Sequence, residues 1–387
     1  MSNRLSRRNL MHLAGATGAS ALLAPEVARA AATTWPLNVM GPGIPKICAY
    51  AGTTPAANRA LQQVGVFHVI GGGGGGGRGG GPWTEEALRR NITALKDQGM
   101  TVVNAMIGGM NDIIRGGPNR DREIENIIQS TRAAGKAGLP CIEYNFYAHR
   151  LEEGYFHAPD PARGGAVVES FHYNQVKDLP PLPETGIQTA DRLWANLEYF
   201  LKAVVPVAQS VNVRMSLHPN DPPPAISRGS AQIMTTFADW KKLVGLVDSP
   251  SNGMTYDCGV SREIGEDPAA VARWLGERDR ISHVHFRNVI VRKEREDYTE
   301  VWPDNGMVDM LAVMKELVRQ KYPRMVHPEH ARGLNVNDNV VEKLRDPAGE
   351  RGSKLAADED PNLNSYAAWA YHAAYTRAML QAALLTR

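Results

Sequence analysis

Eight short runs rich in β-branched residues recur along the chain, each followed by a stretch of helical character, and this alternation limits the fold more than any other feature. The runs cover residues 46–50, 66–70, 101–106, 140–144, 211–217, 253–256, 281–286 and 324–327. Helical segments lie at residues 84–98, 122–138, 189–208, 237–247, 268–275 and 308–320, and a last one at 366–385. No Asn-Gly turn joins two alternating apolar runs, so the pattern predicts a parallel sheet without hairpins. Eight units predict closure into a (β/α)8 TIM barrel, with the last helix packed outside it.

Two segments interrupt the alternation. Residues 71–83 form a glycine-rich loop after the second strand, with Arg78 inside and Pro82-Trp83 closing it. Glycine at almost every position fixes no particular turn, so the tract predicts a flexible loop at the catalytic rim, with a phosphate cradle as the alternative, rather than a dinucleotide fingerprint. Residues 146–189, an insertion after strand 4 rich in proline, acidic residues and histidine, are too long for a simple connection and predict a lid or a subunit contact.

With 387 residues, 43% of them hydrophobic and 22% charged, the chain has the composition of an ordinary globular protein, and residues 31–387 suffice for one barrel with insertions. The formal charge is +2, and residues 1–30 carry Arg4, Arg7, Arg8 and Arg29 against Glu26, so the remainder is close to neutral. That excludes a basic face for nucleic acid or for a membrane surface. Residues 1–30 themselves read as a twin-arginine signal: Arg7-Arg8, an apolar stretch from Leu10 to Leu23, then Ala28-Arg29-Ala30 as a small-x-small cleavage pattern. The expectation is export to the periplasm, with no membrane association once the signal is removed. Cys48, Cys141 and Cys258, an odd and scattered set, give no disulfide framework.

Metal-type side chains fall at the ends of the last four strands. His218 follows residues 211–217, Cys258 follows 253–256, His285 lies near the end of 281–286, and Glu329 follows 324–327. In a barrel these ends converge on one site, so the four are the candidate ligands of a divalent ion. His283 and His285 differ by two and share a strand face, which puts His285 at the rim and His283 behind it. His330, just past the eighth strand, is placed to act as an acid or base. Imidazoles, a thiolate and a carboxylate suit zinc, ferrous iron or manganese better than magnesium or calcium.

Several spaced motifs, in one order over most of the chain, resemble the mannonate dehydratase family of xylose-isomerase-like barrels. They are Arg122-Glu123-Ile124-Glu125-Asn126 with Tyr144-Asn145-Phe146, then Leu217-His218-Pro219-Asn220-Asp221-Pro222-Pro223. Next come His283-Val284-His285-Phe286-Arg287-Asn288-Val289 and Asp304-Asn305-Gly306-Met307-Val308-Asp309-Met310, and finally Tyr375-Thr376-Arg377-Ala378-Met379-Leu380. The resemblance implies dehydration of D-mannonate, a small sugar acid, to 2-keto-3-deoxy-D-gluconate with Mn2+ or Fe2+, Zn2+ being accommodated by the same donors. It implies His218, Cys258, His285 and Glu329 as ligands, His330 and Tyr366 as acid/base groups, and Asn145, Asn220 and Arg287 as substrate contacts. A homo-oligomer is compatible with it.

These residue types fit an elimination. The proton beside a carboxylate leaves only if the developing enolate is stabilised by a cation or by hydrogen-bond donors. A planar arginine is the expected two-pronged anchor for the substrate carboxylate. The chain departs from the family in having Glu329 where relatives have aspartate, and a glycine tract where they have Ala-Leu-His. Two alternatives keep the barrel: a metal-dependent isomerase, epimerase or lyase of another oxidised sugar, and a non-catalytic periplasmic sugar-acid binding protein.

Overall fold

The computed structural model describes residues 37–73, 82–330, 334 and 361–386. The signal expected at residues 1–30 and the greater part of the glycine tract, residues 74–81, lie outside the described residues.

Among the described residues, fourteen strands occur in chain order. They begin with β1 (Lys46–Tyr50), β2 (His68–Ile70), β3 (Thr101–Met106), β4 (Cys141–Tyr144), β5 (Tyr155–Asp160), β6 (Ala166–His172) and β7 (Arg214–Leu217). They continue with β8 (Ile226–Ser227), β9 (Ser230–Ala231), β10 (Asn252–Asp257), β11 (Ile281–His285), β12 (Asn288–Lys293), β13 (Asp297–Val301) and β14 (Met325–His327). The helices are α1 (Pro55–Gln63), α2 (Glu85–Lys96), α3 (Asn111–Arg115), α4 (Arg120–Ala137) and α5 (Ala190–Ser210). After them come α6 (Phe237–Leu246), α7 (Cys258–Glu263), α8 (Pro268–Gly276), α9 (Met310–Arg319) and α10 (Pro361–Leu385).

Eight parallel strands close into the expected (β/α)8 barrel in the order β1-β14-β11-β10-β7-β4-β3-β2. Side-chain alternation along each strand separates two apolar environments. Met215 and Leu217, Met254 and Tyr256, Val284 and Val326 face outward into the main core beneath the helices. Cys48, Ile70, Val103, Cys141 and Met325 form a separate cluster drawn from five barrel strands, which is the packed interior. Side-chain caps fix where helices start after strands and loops: Thr54, Thr84, Thr189 and Thr236 each accept a backbone N–H of the first turn of α1, α2, α5 and α6.

The absence of hairpins expected from the sequence is corrected by the structure. The insertion after β4 contributes β5 and β6, which pair antiparallel with the β12–β13 hairpin in a four-stranded sheet, β12-β13-β6-β5. The hairpin turn was illegible because it runs through charged residues, with Arg295 rather than glycine taking the left-handed conformation at φ 63°. The sheet joins the insertion to the segment after the seventh barrel strand and carries Glu300 toward the catalytic end.

Helix α10 lies against α9 and β1. It sends Trp369 flat onto His327, ring centroids 5.4 Å apart, and His372 against Trp302. His372 is 4% exposed, and burial lowers its pKa to about 4 from the ordinary 6.5. The unfolded chain therefore takes up a proton at this residue near pH 6.5, and the folded chain only near pH 4. Stability from this group is complete above pH 6.5 and declines as the pH falls toward 4. The loss reaches at most about 3 kcal/mol. Urea unfolding across this range will show that slope in the native chain and a flatter one in His372→Phe.

Candidate metal centre and active-site cavity

A cavity of about 390 Å³ opens at the C-terminal ends of the barrel strands. Tyr50, Met106, Asn145, Arg150, Asp221 and His330 are among the residues around it, and His218 and Glu329 lie at its floor. Four potential donors gather there: His218, Asp257, His285 and Glu329, with one ligand atom each, all within 4.8 Å of one another. Strand register explains the gathering. Asp257 pairs with His285 across β10 and β11, and His285 with His327 across β11 and β14, with Glu329 two residues further on.

The donors are oriented for a cation. Nδ1 of His218 lies 2.7 Å from the carbonyl of Pro219, so it carries the proton and Nε2 presents its lone pair. That lone pair faces Nδ1 of His285 at 3.0 Å. The Glu329 carboxylate also contacts His285 Nδ1, and Asp257 Oδ2 lies 3.7 Å from it. Two imidazole nitrogens at this separation repel unless a proton or a metal ion sits between them, and the two flanking carboxylates supply the balancing charge. Without a metal, a proton takes that role. Burial opposes the charge on His285, but Glu329 and Asp257 outweigh it and raise its pKa to about 10. Burial would likewise raise Glu329, yet His285 and His330 hold it well below the usual carboxylate range. The residues therefore fit a divalent cation with two nitrogen and two oxygen donors.

Cys258, expected as a ligand, is not one of this group, and the reason is strand parity. Thr255 and Asp257 share the inward face of β10, with Thr255 Oγ1 2.9 Å from Ser216 Oγ on β7. Cys258 is the next residue, opens α7 and packs in the main core among outward-facing side chains. Its thiol lies 3.3 Å and 3.1 Å from the carbonyl oxygens of His285 and Arg287 and donates to them. Burial pushes the thiol pKa up, which keeps it protonated. Asp257 is the residue the sequence argument passed over. Its Oδ1 caps α7 through Val260 N at 2.8 Å, and its Oδ2 accepts from Arg287 Nε at 2.9 Å, which fixes the carboxylate with Oδ2 turned toward His285. The parity argument that separated His283 from His285, applied to Thr255 and Asp257, would have found it.

Arg287, expected to hold substrate, is committed inside the protein. Its guanidinium is 2% exposed and reaches Asp257, Glu263 and Asp221 at 2.9, 2.8 and 3.2 Å, with Glu300 at 3.6 Å. Arg287 is not among the residues that line the cavity. The arginine that does line it is Arg150, whose Nε donates to the Asp221 carbonyl at 2.8 Å while the side chain remains 37% exposed. Asn220 is also a scaffold residue: it is 1% exposed and its Oδ1 accepts from Met234 N at 2.8 Å. Asn145 lines the cavity.

His330 and Tyr366 part company. His330 borders the cavity in the left-handed region, φ 55°, a conformation that costs a non-glycine residue about 1–3 kcal/mol. Its Nδ1 contacts the buried Glu300 carboxylate and its Nε2 lies 3.4 Å from Glu329 Oε1. Burial opposes its charge, but Glu300 and Glu329 outweigh it and hold the pKa well above the usual imidazole value. Tyr366, on α10, donates its hydroxyl to the Ala60 carbonyl of α1 at 3.2 Å and is absent from the cavity lining. It belongs to the helical shell.

The family model described as D-mannonate dehydratase (UxuA) matches residues 185–345. A mannonate dehydratase of Enterococcus faecalis is 30% identical over 290 residues, covering 65% of this chain and 79% of the relative. The chain belongs to the mannonate dehydratase family. A second member, from Streptococcus pneumoniae, is 32% identical over 247 residues, covering 58% of this chain and 67% of that protein. The crystal structure of the mannonate dehydratase from Streptococcus suis aligns with TM-score 0.72 at 26% identity, covering 88% of this chain and 95% of that one. A putative sugar phosphate isomerase/epimerase from Anabaena variabilis aligns with TM-score 0.54 at 13% identity, covering 87% and 99%, and shares the fold. Family membership makes the protein an enzyme of the hydro-lyase class, in a family that is metal-dependent in general.

Behind the rim cluster the barrel interior is unusually polar. His283 and His327 are fully buried, and neither ring nitrogen of either residue has a hydrogen-bond partner among the described residues. Nε2 of His285 also lacks one, with Glu143 Oε1 3.6 Å away. The other Glu143 oxygen accepts from Asn104 Nδ2 at 2.6 Å. Each polar atom left unpaired in such a place costs about 1–3 kcal/mol.

Proposed function

We propose that the protein is a divalent-metal-dependent dehydratase that eliminates water from D-mannonate or a closely related aldonate, giving a 2-keto-3-deoxy acid. The observation that carries the metal is the pair of facing imidazole nitrogens of His218 and His285, flanked by Asp257 and Glu329. With a carboxylate in place of the expected thiolate, the donor set favours Mn2+ or Fe2+ over Zn2+. A bound dication supplies positive charge against which an enolate and a departing hydroxide are stabilised.

The remaining residues bind the acid and handle protons. Arg150 offers a fixed cation at the cavity wall for the substrate carboxylate. Asn145 stands at the same wall to contact sugar hydroxyls. His330, backed by Glu300, lies beside Glu329, where a proton has to reach the leaving hydroxyl. Arg150→Gln should raise KM for the aldonate by about 10- to 100-fold, the value of one charge-assisted hydrogen bond, with metal content unchanged.

One structural feature favours a second reading. The His–Asp–His–Glu set is richer in carboxylate than the thiolate-containing set expected from the sequence, and enediolate chemistry in sugar isomerases also uses carboxylate-rich metal sites. A single assay separates the two. Protein reconstituted with manganese or iron is incubated with a panel of aldonates and of aldoses and ketoses, and the products are identified. A 2-keto-3-deoxy acid supports the dehydratase; an isomerised or epimerised sugar with no loss of water supports the alternative. His330→Asn should retain the metal and lose turnover, whereas a sugar-acid binding protein would bind aldonates without turnover in the native chain.

A further inference from the structure

We propose that the barrel interior holds a second cation site, made of His283, His327 and Nε2 of His285, for a late first-row dication of the zinc or copper class. Ligand nitrogens of the three rings lie within 4.8 Å of one another. The rings surround a common point, with centroid separations of 5.0, 5.6 and 6.0 Å. Donors bound to one ion at about 2.0–2.1 Å lie no more than about 4.2 Å apart, so the rings close in on the ion as it binds.

The independent observation is the unpartnered nitrogens. Five imidazole nitrogens, two each on His283 and His327 and one on His285, have no hydrogen-bond partner among the described residues, and the three residues are at most 2% exposed. Barrel interiors are ordinarily filled by branched apolar side chains. Three neighbouring histidines in that position leave polar atoms that a ligand must satisfy. Imidazole donors alone select a late transition ion, whereas the rim set with two carboxylates suits manganese or iron. The two sites share the His285 ring, Nδ1 facing the rim and Nε2 facing inward. With both occupied, the ring is a bridging imidazolate, and entry of the second ion releases the remaining ring proton to solvent. Around His327, Tyr50 meets the ring edge-on and Trp369 stacks on its face, which holds that ligand in place.

Metal-free protein is equilibrated with Zn2+ or Cu2+, and the bound metal is counted by mass spectrometry. The native chain should bind two equivalents, the double variant His283→Phe, His327→Phe one, and the rim double variant Asp257→Asn, Glu329→Gln one. The dicopper native form should lose most of its low-temperature paramagnetic signal through imidazolate coupling, and the inner variant should regain the signal of an isolated ion. An unchanged metal count in the inner variant overturns the proposal. Failure of the rim reading shows separately, as an unchanged count in the rim variant. Should the inner variant fail to fold, zinc-soaked crystals of the native chain decide: an anomalous peak between His283 and His327 supports the site, and its absence overturns it.

Discussion

Exchanging Asp257 for asparagine should strip the rim metal and lower kcat by about a thousandfold, the worth of several kcal/mol of charge stabilisation. Cys258→Ser should leave both metal content and turnover within a small factor of the native values. The comparison is clean because asparagine caps a helix as well as aspartate does, so α7 keeps its start through Val260 N. Arg287 also keeps Glu263 and Asp221 as partners. Metal content by mass spectrometry together with steady-state kinetics reads the result. Loss of the ion in Cys258→Ser with retention in Asp257→Asn would return the thiol to the site and contradict the strand register.

Arg287→Leu should destabilise the protein by about 3–5 kcal/mol, the cost of removing one partner from a buried ionic network. The guanidinium is the shared partner of Asp257, Glu263, Asp221 and Glu300. Burial and the neighbouring acids push Glu263 well above the usual carboxylate range, and Arg287 is the group that opposes them. Asp221 is held in place independently, by the hydroxyls of Tyr155 and Tyr298 at 2.6 and 3.0 Å. Arg287→Lys should recover little, since one compact ammonium cannot address three carboxylates in different directions. Urea unfolding measures the loss. A variant that unfolds normally but binds aldonate poorly would make Arg287 the substrate anchor and remove that role from Arg150.

Both predictions depend on which way a side chain points, and this is where sequence and structure divide. The order of strands and helices was legible because its signals are local: β-branched runs, the helical stretches between them, and an eightfold repeat. The convergence of His218, His285 and Glu329 was legible too, since all three follow from the strand-end rule of a barrel. Asp257 and Cys258 are adjacent, and only the pairing of Asp257 with His285 shows which of them faces inward. The softer ligand type drew the assignment to Cys258, whose side chain packs in the outer core.

The sequence by itself determined the eightfold βα pattern and the end of the barrel where the chemistry lies, because both are written in short-range periodicity. Tertiary structure alone decided how the charged groups are used. Arg287 could anchor a substrate in sequence, but packing surrounds it with the protein's own carboxylates, whereas Arg150 from the insertion after β4 reaches the cavity. Glu300 comes to His330 through a sheet built from two distant insertions. A buried charge takes its role from what surrounds it, and those neighbours come from segments far apart in the chain.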